Sequence, residues 1–448
     1  MKKYFLLSIL TMTTLFFTSC DEELEVKDLS QIPVDQFIID DASAETALLQ
    51  GYNNMQSTNI AGPVQKMFSG IYSDNFDHTG SFPTYLEARL NNIQPDNVTT
   101  SGYFTSNFAV INTATAIIRV IEGLDADVLS SGVRSNTLAE AHALRAFAYF
   151  QLVKIWGGVP IDEETVSLDG IGASHTPRAT EAAVYTYIES EIAAAEGNIT
   201  NTSKLRFTAD ALQVLKAKVL LYQGKYPQAE STLQPLIGKY SLAPNYEDLY
   251  VVGGDTPESI FRIDYSPSDS NSLAFFFYPS PNGRREVAPS AAFLAAFDAA
   301  DERINMIENN TDFSTAYLNK YSDNANGADI PYIYRYADVL LMYAEVLARR
   351  DAPEASDYIN EVRARAGAGL APVTLNSGNV VTLIANERRF EFYGEGDRWD
   401  DVKRLGLAQQ VIESKGITYN ANRVLWPIPQ SEIDANNELS QADQNPGY

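Results

Sequence analysis

The chain has 448 residues, of which 45% are hydrophobic and 11% aromatic, and 33 Lys+Arg against 58 Asp+Glu give it a formal net charge of −25. A chain of this length and apolar content can bury a large core, so the composition predicts one large or two fused folded domains and excludes a disordered acidic chain. The negative charge repels polyanions and therefore excludes nucleic acid as a partner.

Residues 1–19 are predicted to be a secretory signal peptide. Lys2 and Lys3 precede an apolar run at 5–17, and small residues at 18–19 come directly before Cys20. About 13 apolar residues are too few for a transmembrane helix, which needs roughly 20. No later segment is expected to approach that length, so we predict a mature chain without a transmembrane helix.

Cys20 is the only cysteine of the chain, so no internal disulfide can form. An exported protein with one cysteine at the signal boundary has another use for it. Its position predicts bacterial lipoprotein processing, in which the sulfur is acylated and cleavage leaves Cys20 as the first residue. Residues 20–41 are then a lipid tether and linker.

The region from 42 to about 240 has apolar residues and alanines at three- and four-residue spacing, which predicts helices. The clearest pair is a helix at 209–222, a Gly turn with Tyr-Pro, and a second helix. A similar pair is predicted within 334–366, and a looser one joins 105–122 with 135–155. This layout is typical of tetratricopeptide repeats, whose stacked helices form a scaffold.

Two long irregular stretches, at 59–104 and 241–290, interrupt these helices. Loops of this length are uncommon unless they are functional or disordered. We therefore predict a mostly α protein in which helix pairs support a loop-rich ligand-binding face. One fold is expected over 42–448, with an N-terminal part to about 240 and a C-terminal part from about 241.

Three groups of segments resemble the SusD/RagB family of outer-membrane nutrient-binding lipoproteins. The first contains Arg-Ala-Phe-Ala-Tyr-Phe and Trp-Gly-Gly-Val-Pro, the second Asn-Glu-Arg-Arg-Phe-Glu and Gly-Asp-Arg-Trp-Asp, and the third Leu-Trp-Pro-Ile-Pro and a final Asn-Pro-Gly-Tyr. They occupy 145–161, 386–404 and 425–448. Acidic residues at 21–23 also resemble the surface-export signal of Bacteroidetes lipoproteins.

The resemblance implies a SusD-like fold, a lipid anchor in the outer membrane and a face directed to the cell exterior. It also implies a non-catalytic protein without a cofactor. Such a protein would capture a glycan, most often an oligosaccharide or polysaccharide, and deliver it to a SusC-like TonB-dependent transporter. Binding and uptake of a peptide by the same mechanism is the alternative ligand.

A surface glycan hydrolase is the less favoured alternative. The sequence has neither a Gly-x-Ser-x-Gly elbow nor a His-Glu-x-x-His helix, and the acidic stretch at 323–329 is better explained as a polar turn than as a calcium loop, so no metal site is predicted. Glu391 and Glu395 could form a glycosidase-like pair. The arginines of 386–404 should instead keep both ionised in structural ion pairs.

Sugars are bound by aromatic rings that stack on their C–H faces, with polar side chains around them. All three tryptophans fall in the family motifs and are expected in the core, so the rings must be Tyr or Phe on the loops. The four consecutive aromatics at 275–278 could also alternate into and out of a small core. We predict ligand contacts in two clusters: Tyr72, Asp74, Asn75, Tyr103 and Phe104 in the first, and Phe276, Tyr278 and Arg284 in the second.

Overall fold

The computed structural model describes residues 37–162 and 176–448. The predicted signal peptide, Cys20 and most of the predicted tether lie outside the described residues. Within these two ranges the chain forms sixteen α-helices and six short β-strands. The mostly α fold class predicted from the sequence is confirmed.

The N-terminal part is a series of helices that pack on their neighbours in sequence. Polar side chains begin several of them: Asn97 accepts the backbone N–H groups of Thr99 and Thr100, and Thr208 accepts that of Ala211. The predicted pairs at 105–122 with 135–155 and at 209–222 are confirmed, and the former two helices are longer than predicted. The helices are α1 Asp41–Met55, α2 Pro63–Tyr72, α3 Pro83–Arg89, α4 Val98–Gly123, α5 Ser131–Trp156, α6 Glu181–Ala195, α7 Ala209–Tyr222 and α8 Tyr226–Leu233.

Helix α4 is long and apolar enough to cross a membrane by length and composition. The expectation that no segment after the signal peptide approaches that length was therefore wrong. Half of its apolar window is buried inside the protein, and the side chains of Thr100, Asn107 and Thr115 are buried with it. The helix packs against α1 and α5, which makes it a scaffold helix.

The C-terminal part begins with short elements and ends with helices. The predicted pair within 334–366 is confirmed as α11 and α12. The elements are α9 Leu273–Phe277, α10 Ala291–Leu294, α11 Tyr336–Ala348, α12 Ala355–Ala366, α13 Val380–Glu391, α14 Arg398–Arg404, α15 Ala408–Ser414 and α16 Gln430–Ala435, with strands β1 Phe76–His78, β2 Ser259–Arg262, β3 Val287–Pro289, β4 Ile307–Glu308, β5 Tyr317–Leu318 and β6 Tyr332–Arg335.

The strands form three antiparallel pairs, β1 with β3, β2 with β6 and β4 with β5. In the first pair Phe76 lies opposite Pro289 and His78 opposite Val287. Two loops separated by more than 200 residues in the sequence thereby lie side by side. This pairing decides which loop residues can share a ligand.

The three tryptophans lie in the core, as predicted. Trp156, Trp399 and Trp426 are each no more than 3% exposed. The rings of Trp156 and Trp426 meet edge to face with centroids 5.9 Å apart, and the Trp156 indole N–H donates to the Pro427 carbonyl at 2.8 Å. The family motifs thus fasten the C-terminal segment onto the end of α5.

The ion pairs predicted for 386–404 are confirmed in part, since Arg388 pairs with Asp401 within the segment. The prediction that arginines of this segment keep Glu391 and Glu395 ionised was wrong, because the cations that bind these two carboxylates lie elsewhere in the chain. Arg335 contacts the carboxylates of Glu258, Glu391 and Glu395. Arg303 is fully buried and binds Asp301 at 2.7 Å. Buried charges are tolerated only when they are paired and hydrogen-bonded, which this arrangement achieves.

Candidate ligand-binding surface

The predicted contacts of the first cluster are core residues rather than surface ones. Tyr72 is 0% exposed, and Tyr103 and Phe104 are each 2% exposed. The Tyr72 ring lies 4.6 Å from that of Trp399, and Phe104 lies 5.0 Å from Trp156. A ring buried in the core cannot stack on a ligand, so the prediction of solvent-facing rings here was wrong.

Asp74 and Asn75 also have structural roles. Asp74 binds Arg398 at 2.8 Å and Arg389 at 3.0 Å. Burial would raise the pKa of the Asp74 carboxyl, but these two guanidinium groups outweigh it and lower the pKa below the ordinary value. The side-chain Oδ1 of Asn75 accepts from Arg389 Nε at 2.9 Å. Together they anchor the start of β1 to α13 and α14.

The second cluster lies at the surface. Phe275 is 45% exposed, Phe276 and Tyr278 are partly exposed, and Phe277 is buried. The consecutive aromatics therefore alternate between core and surface, as the competing interpretation expected. Arg284 keeps 29% of its side chain exposed beside them.

Phe82 completes this cluster, and the sequence analysis did not identify it. The Arg284 guanidinium carbon lies 3.7 Å from the centroid of the Phe82 ring and 5.7 Å from that of Phe276. The centroids of these two rings are themselves 6.3 Å apart, so the guanidinium lies over Phe82 and beside Phe276, a favourable cation–π arrangement. Phe82 stands in the irregular stretch 59–104, but only the pairing of β1 with β3 brings it to Phe276.

We call the set formed by Phe82, Phe275, Phe276, Tyr278, Arg284 and Tyr317 the aromatic surface. Tyr278 and Tyr317 have centroids 4.9 Å apart, and the Tyr278 hydroxyl donates to the Asn319 amide oxygen. Burial raises the pKa of Tyr278 to about 12, so its phenol is neutral at physiological pH. The surface therefore offers ring faces and a neutral hydroxyl.

Glu286 organises the aromatic surface from beneath. Its carboxylate is 0% exposed and accepts the Phe82 backbone N–H at 2.8 Å and Arg284 Nε at 2.8 Å. His78 Nε2 lies 3.0 Å from the same group. A Cβ atom at Gly80 would lie 2.3 Å from this carboxylate, so only glycine permits the loop to approach so closely.

Arg285 fixes the other side of the hairpin that carries Arg284. Its guanidinium donates to the carbonyls of Ala316 at 2.8 Å and Phe313 at 2.7 Å. Its own N–H donates to the Tyr278 carbonyl at 2.7 Å. These bonds tie the hairpin to the turn before β5 and keep Tyr278 against Tyr317.

Glu391 and Glu395, the candidate acid–base pair, have structural roles instead. Burial would raise the pKa of Glu391, but Arg365, Arg335 and Arg303 hold it well below the ordinary value, and Glu395 is lowered to about 2 despite its burial, chiefly by Arg335 and Lys320. Neither carboxyl can hold a proton to donate near neutral pH.

The stretch at 323–329 is a polar turn, since Asp329 accepts the backbone N–H groups of Ser322 and Asp323. Across 37–162 and 176–448, no group of three or more His, Cys, Asp or Glu residues is arranged to hold a metal ion.

The chain thus consists of helix pairs that support loops, and these loops carry a surface of aromatic rings with one guanidinium group. This architecture is that of a binding protein built on a helical-repeat scaffold. Two family models match the chain: the one described as SusD family over residues 299–448, and the one described as starch-binding, associating with outer membrane, over residues 23–221. A SusD-like protein of Formosa agariphila is 28% identical over 495 residues, which cover 94% of this chain and 95% of that protein.

Two solved structures share the fold closely. A laminarin-binding SusD-like protein has a TM-score of 0.77 at 25% identity and covers 91% of this chain and 99% of its own. Surface glycan-binding protein A from Bacteroides thetaiotaomicron, in complex with laminarihexaose, has a TM-score of 0.76 at 22% identity, again covering 91% and 99%. The chain is therefore similar to SusD-family proteins along nearly its whole length, and the model that matches its N-terminal part is described as associating with the outer membrane.

Proposed function

We propose that this protein binds an oligosaccharide at the aromatic surface, outside the cell, and delivers it to a TonB-dependent transporter. The observation that carries the proposal is the cluster in which the Arg284 guanidinium lies over the Phe82 ring and beside the Phe276 ring, while the adjoining Phe275 ring is 45% exposed. Phe276, Tyr278 and Arg284 are retained as ligand contacts, and Phe82 and Phe275 are added.

The chemistry of this surface suits a neutral sugar. Pyranose rings present apolar C–H faces that stack on aromatic rings, and their hydroxyls need rigid donors and acceptors at the edge. Arg284 is held in place by Glu286 and by Ser81 Oγ at 3.2 Å. Since two solved relatives are described with laminarin or laminarihexaose, laminarin-type glucans are the first ligands to test.

The binding experiment compares the wild-type chain with Phe275→Ala and Phe276→Ala by isothermal titration with laminarihexaose, after a glycan array. Each variant should bind roughly fivefold to a hundredfold more weakly, because stacking on one aromatic ring contributes about 1–3 kcal/mol. Tyr358→Ala is the matched control, since its partly exposed ring also packs against one ring, that of Tyr343, at 4.9 Å on the scaffold.

Three results would contradict the proposal. Binding of peptides in a parallel pull-down with no glycan bound would favour the peptide alternative. Release of shortened oligosaccharides during the titration would identify a hydrolase. Unchanged affinity in both phenylalanine variants would place the ligand elsewhere.

Cys20 as the lipid anchor and a transporter as the partner complete the proposal. Several acyl chains supply stable membrane affinity, whereas a single chain gives only marginal binding. Cys20→Ala should therefore leave the protein uncleaved or soluble in a strain that lacks the transporter. Affinity purification of the wild-type protein in mild detergent should recover a TonB-dependent transporter, and recovery of this protein alone in several detergents would contradict delivery.

A further inference from the structure

A concave feature lies at the start of α9, the helix that carries Phe275 and Phe276. It is a cleft of about 140 Å³ between the α1–α2 connection and the loop before α9, with polar walls formed by Gln56, Thr58, Tyr265, Ser270, Asn271 and Ser272. The Ser272 carbonyl accepts the backbone N–H of Phe276 at 3.2 Å. Ser272 caps α9, so the wall of the cleft runs directly into the helix that carries Phe275 and Phe276.

The walls of this cleft are neutral. Of the eight residues that line it, all within the described ranges, none carries a charged side chain, although the chain has a net charge of −25. The hydroxyls of Thr58, Ser270 and Ser272 form no hydrogen bond with any described residue. Three donor–acceptor groups are thus available to a ligand.

The ring of Tyr265 is held rigidly as one wall. Its hydroxyl donates to the Gln56 carbonyl at 2.6 Å, and Gln56 Nε2 donates to the Asp264 carbonyl at 3.0 Å. This cross-connection leaves the Gln56 side-chain oxygen without a bond to the described residues. A wall that is fixed before binding loses little conformational entropy when a ligand arrives.

Asn271 fixes the opposite side. Its backbone N–H donates to the Gly327 carbonyl at 2.8 Å, its Nδ2 donates to the Asp329 carbonyl at 2.8 Å, and its Oδ1 accepts the Leu273 N–H at 3.0 Å. Every polar group of this side chain is therefore used to shape the loop. Ser270 and Ser272 are carried on either side of it.

We propose that this cleft is a second subsite, which takes a neutral hydroxylated ring such as a hexopyranose unit of the oligosaccharide held at the aromatic surface. The inference rests on the proposed glycan-binding function and extends it. A water needs roughly 10–15 Å³, so the cleft has room for about ten waters or a ring of similar atom count. A sulfate, phosphate or carboxylate would find no cation in the walls, whereas hydroxyls match the free serine and threonine groups.

The test uses laminarihexaose and laminaritriose against the full chain. The triple variant Thr58→Ala, Ser270→Ala and Ser272→Ala should bind the hexaose roughly tenfold more weakly, because it loses up to three hydrogen bonds. Its affinity for the triose, which the aromatic surface alone accommodates, should change less than about twofold. Phe275→Ala should weaken both sugars, and Thr202→Ala, an exposed threonine on the scaffold, is the control.

Wild-type affinity of the triple variant for the hexaose, or an equal loss for both sugars, would overturn the second subsite while the proposed function stands. If the wild-type chain binds neither sugar, the proposed function fails for these glucans. A crystal of the protein soaked in glucose then tests whether the cleft alone binds a hexopyranose. A ring over Tyr265 supports the subsite, and an empty cleft overturns it.

Discussion

At Gly80 the loop before Phe82 runs directly against the buried carboxylate of Glu286. Gly80→Ala would place a methyl group 2.3 Å from that carboxylate, and the loop must move because Glu286 is fixed by Arg284 and the Phe82 N–H. We expect laminarihexaose affinity to fall at least roughly fivefold, with about 1–3 kcal/mol lost in the free energy of unfolding. Titration and urea unfolding measure the two effects.

Gly132→Ala is the control for this change, because a Cβ there meets no atom within 4 Å. It should leave affinity unchanged and be neutral or stabilise α5 by up to about 1 kcal/mol. Equal binding by the Gly80 and Gly132 variants would show that the loop adapts without moving the Phe82 ring.

Arg335 illustrates the cost of an unpaired buried charge. Arg335→Met should lower the free energy of unfolding by about 3–5 kcal/mol, because Glu258, Glu391 and Glu395 would lose a shared cation. Arg350→Met removes the surface pair with Glu230, where Arg350 is 54% exposed, and should leave the free energy of unfolding nearly unchanged. Denaturant unfolding of both variants is the measurement, and similar losses would contradict a structural role for the network.

Individual residues also show where sequence reasoning succeeds. The tryptophans and the Arg–Glu-rich segment were correctly predicted to have structural roles. A tryptophan has a large apolar area to bury, and arginines and glutamates so close in sequence favour paired charges. Tyr72 and Tyr103 were wrongly predicted to face solvent, because a tyrosine in a loop or near a helix start is equally compatible with the protein interior and with its surface. Its burial depends on tryptophans that lie far away in the chain, Trp156 for Tyr103 and Trp399 and Trp426 for Tyr72.

Among the elements, α3 and α4 are linked by the side chain of Asn97. Asn97 caps α4 through Thr99 and Thr100, and its Nδ2 donates to Glu87 at 2.6 Å in α3. Asn97→Ala should therefore lower the free energy of unfolding by about 2 kcal/mol, since a cap and a buried hydrogen bond are lost together.

The matched control is Thr180→Ala, at an exposed cap that accepts only the Ala183 N–H. It should cost about 0.5–1 kcal/mol. Thermal or urea unfolding compares the two, and an equal cost would mean that the contact with α3 contributes nothing.

Helix pairs were predictable because their apolar period and Gly turns are local. The loops were not, since the position of Phe82 depends on β1 pairing with β3 across more than 200 residues. Strands of three residues carry too little periodicity to predict that pairing. The sequence therefore indicated which loops carry candidate ligand contacts, but it did not predict which residues of the two loops lie side by side.

For the molecule as a whole, buried charges determine how stability depends on pH. Arg335 and Lys320 hold the pKa of Glu395 at about 2, against 4.5 in an exposed glutamate. The unfolded chain therefore takes up this proton first as the pH falls. The stability from this group is fully present above about pH 4.5 and is lost as the pH falls towards 2.

Buried lysines act in the opposite range. Burial lowers the pKa of Lys66 and Lys320 to about 8 and that of Lys415 to about 7, against 10.5 when exposed. At a pH between the lowered pKa and 10.5, the unfolded chain binds more protons than the folded chain. The free energy of unfolding therefore rises with pH by up to roughly 1.4 kcal/mol per pH unit for each lysine. The melting temperature should therefore be higher at pH 9 than at pH 7.

Lys66→Met tests the cause of this rise. Lys66 lines a small charged cavity of about 50 Å³, and its ammonium donates to the Ala61 carbonyl at 2.7 Å. The variant should show a smaller increase in melting temperature between pH 7 and pH 9. Lys239→Met, at a half-exposed lysine on the scaffold, should retain the full increase, and identical profiles for both would contradict the assignment to Lys66.

The hairpin that carries Arg284 has a base that is held by hydrogen bonds and a tip that can change in length and sequence. Its ends are closed by the Arg284 N–H to the Phe275 carbonyl at 2.9 Å, while residues 280–282 at its tip are exposed. Doubling the length of such a closed loop costs only about 0.6 kcal/mol. The tip can therefore be rewritten by insertion or substitution without disturbing Glu286 or the ion pairs below it, which makes it the natural place to exchange one glycan specificity for another.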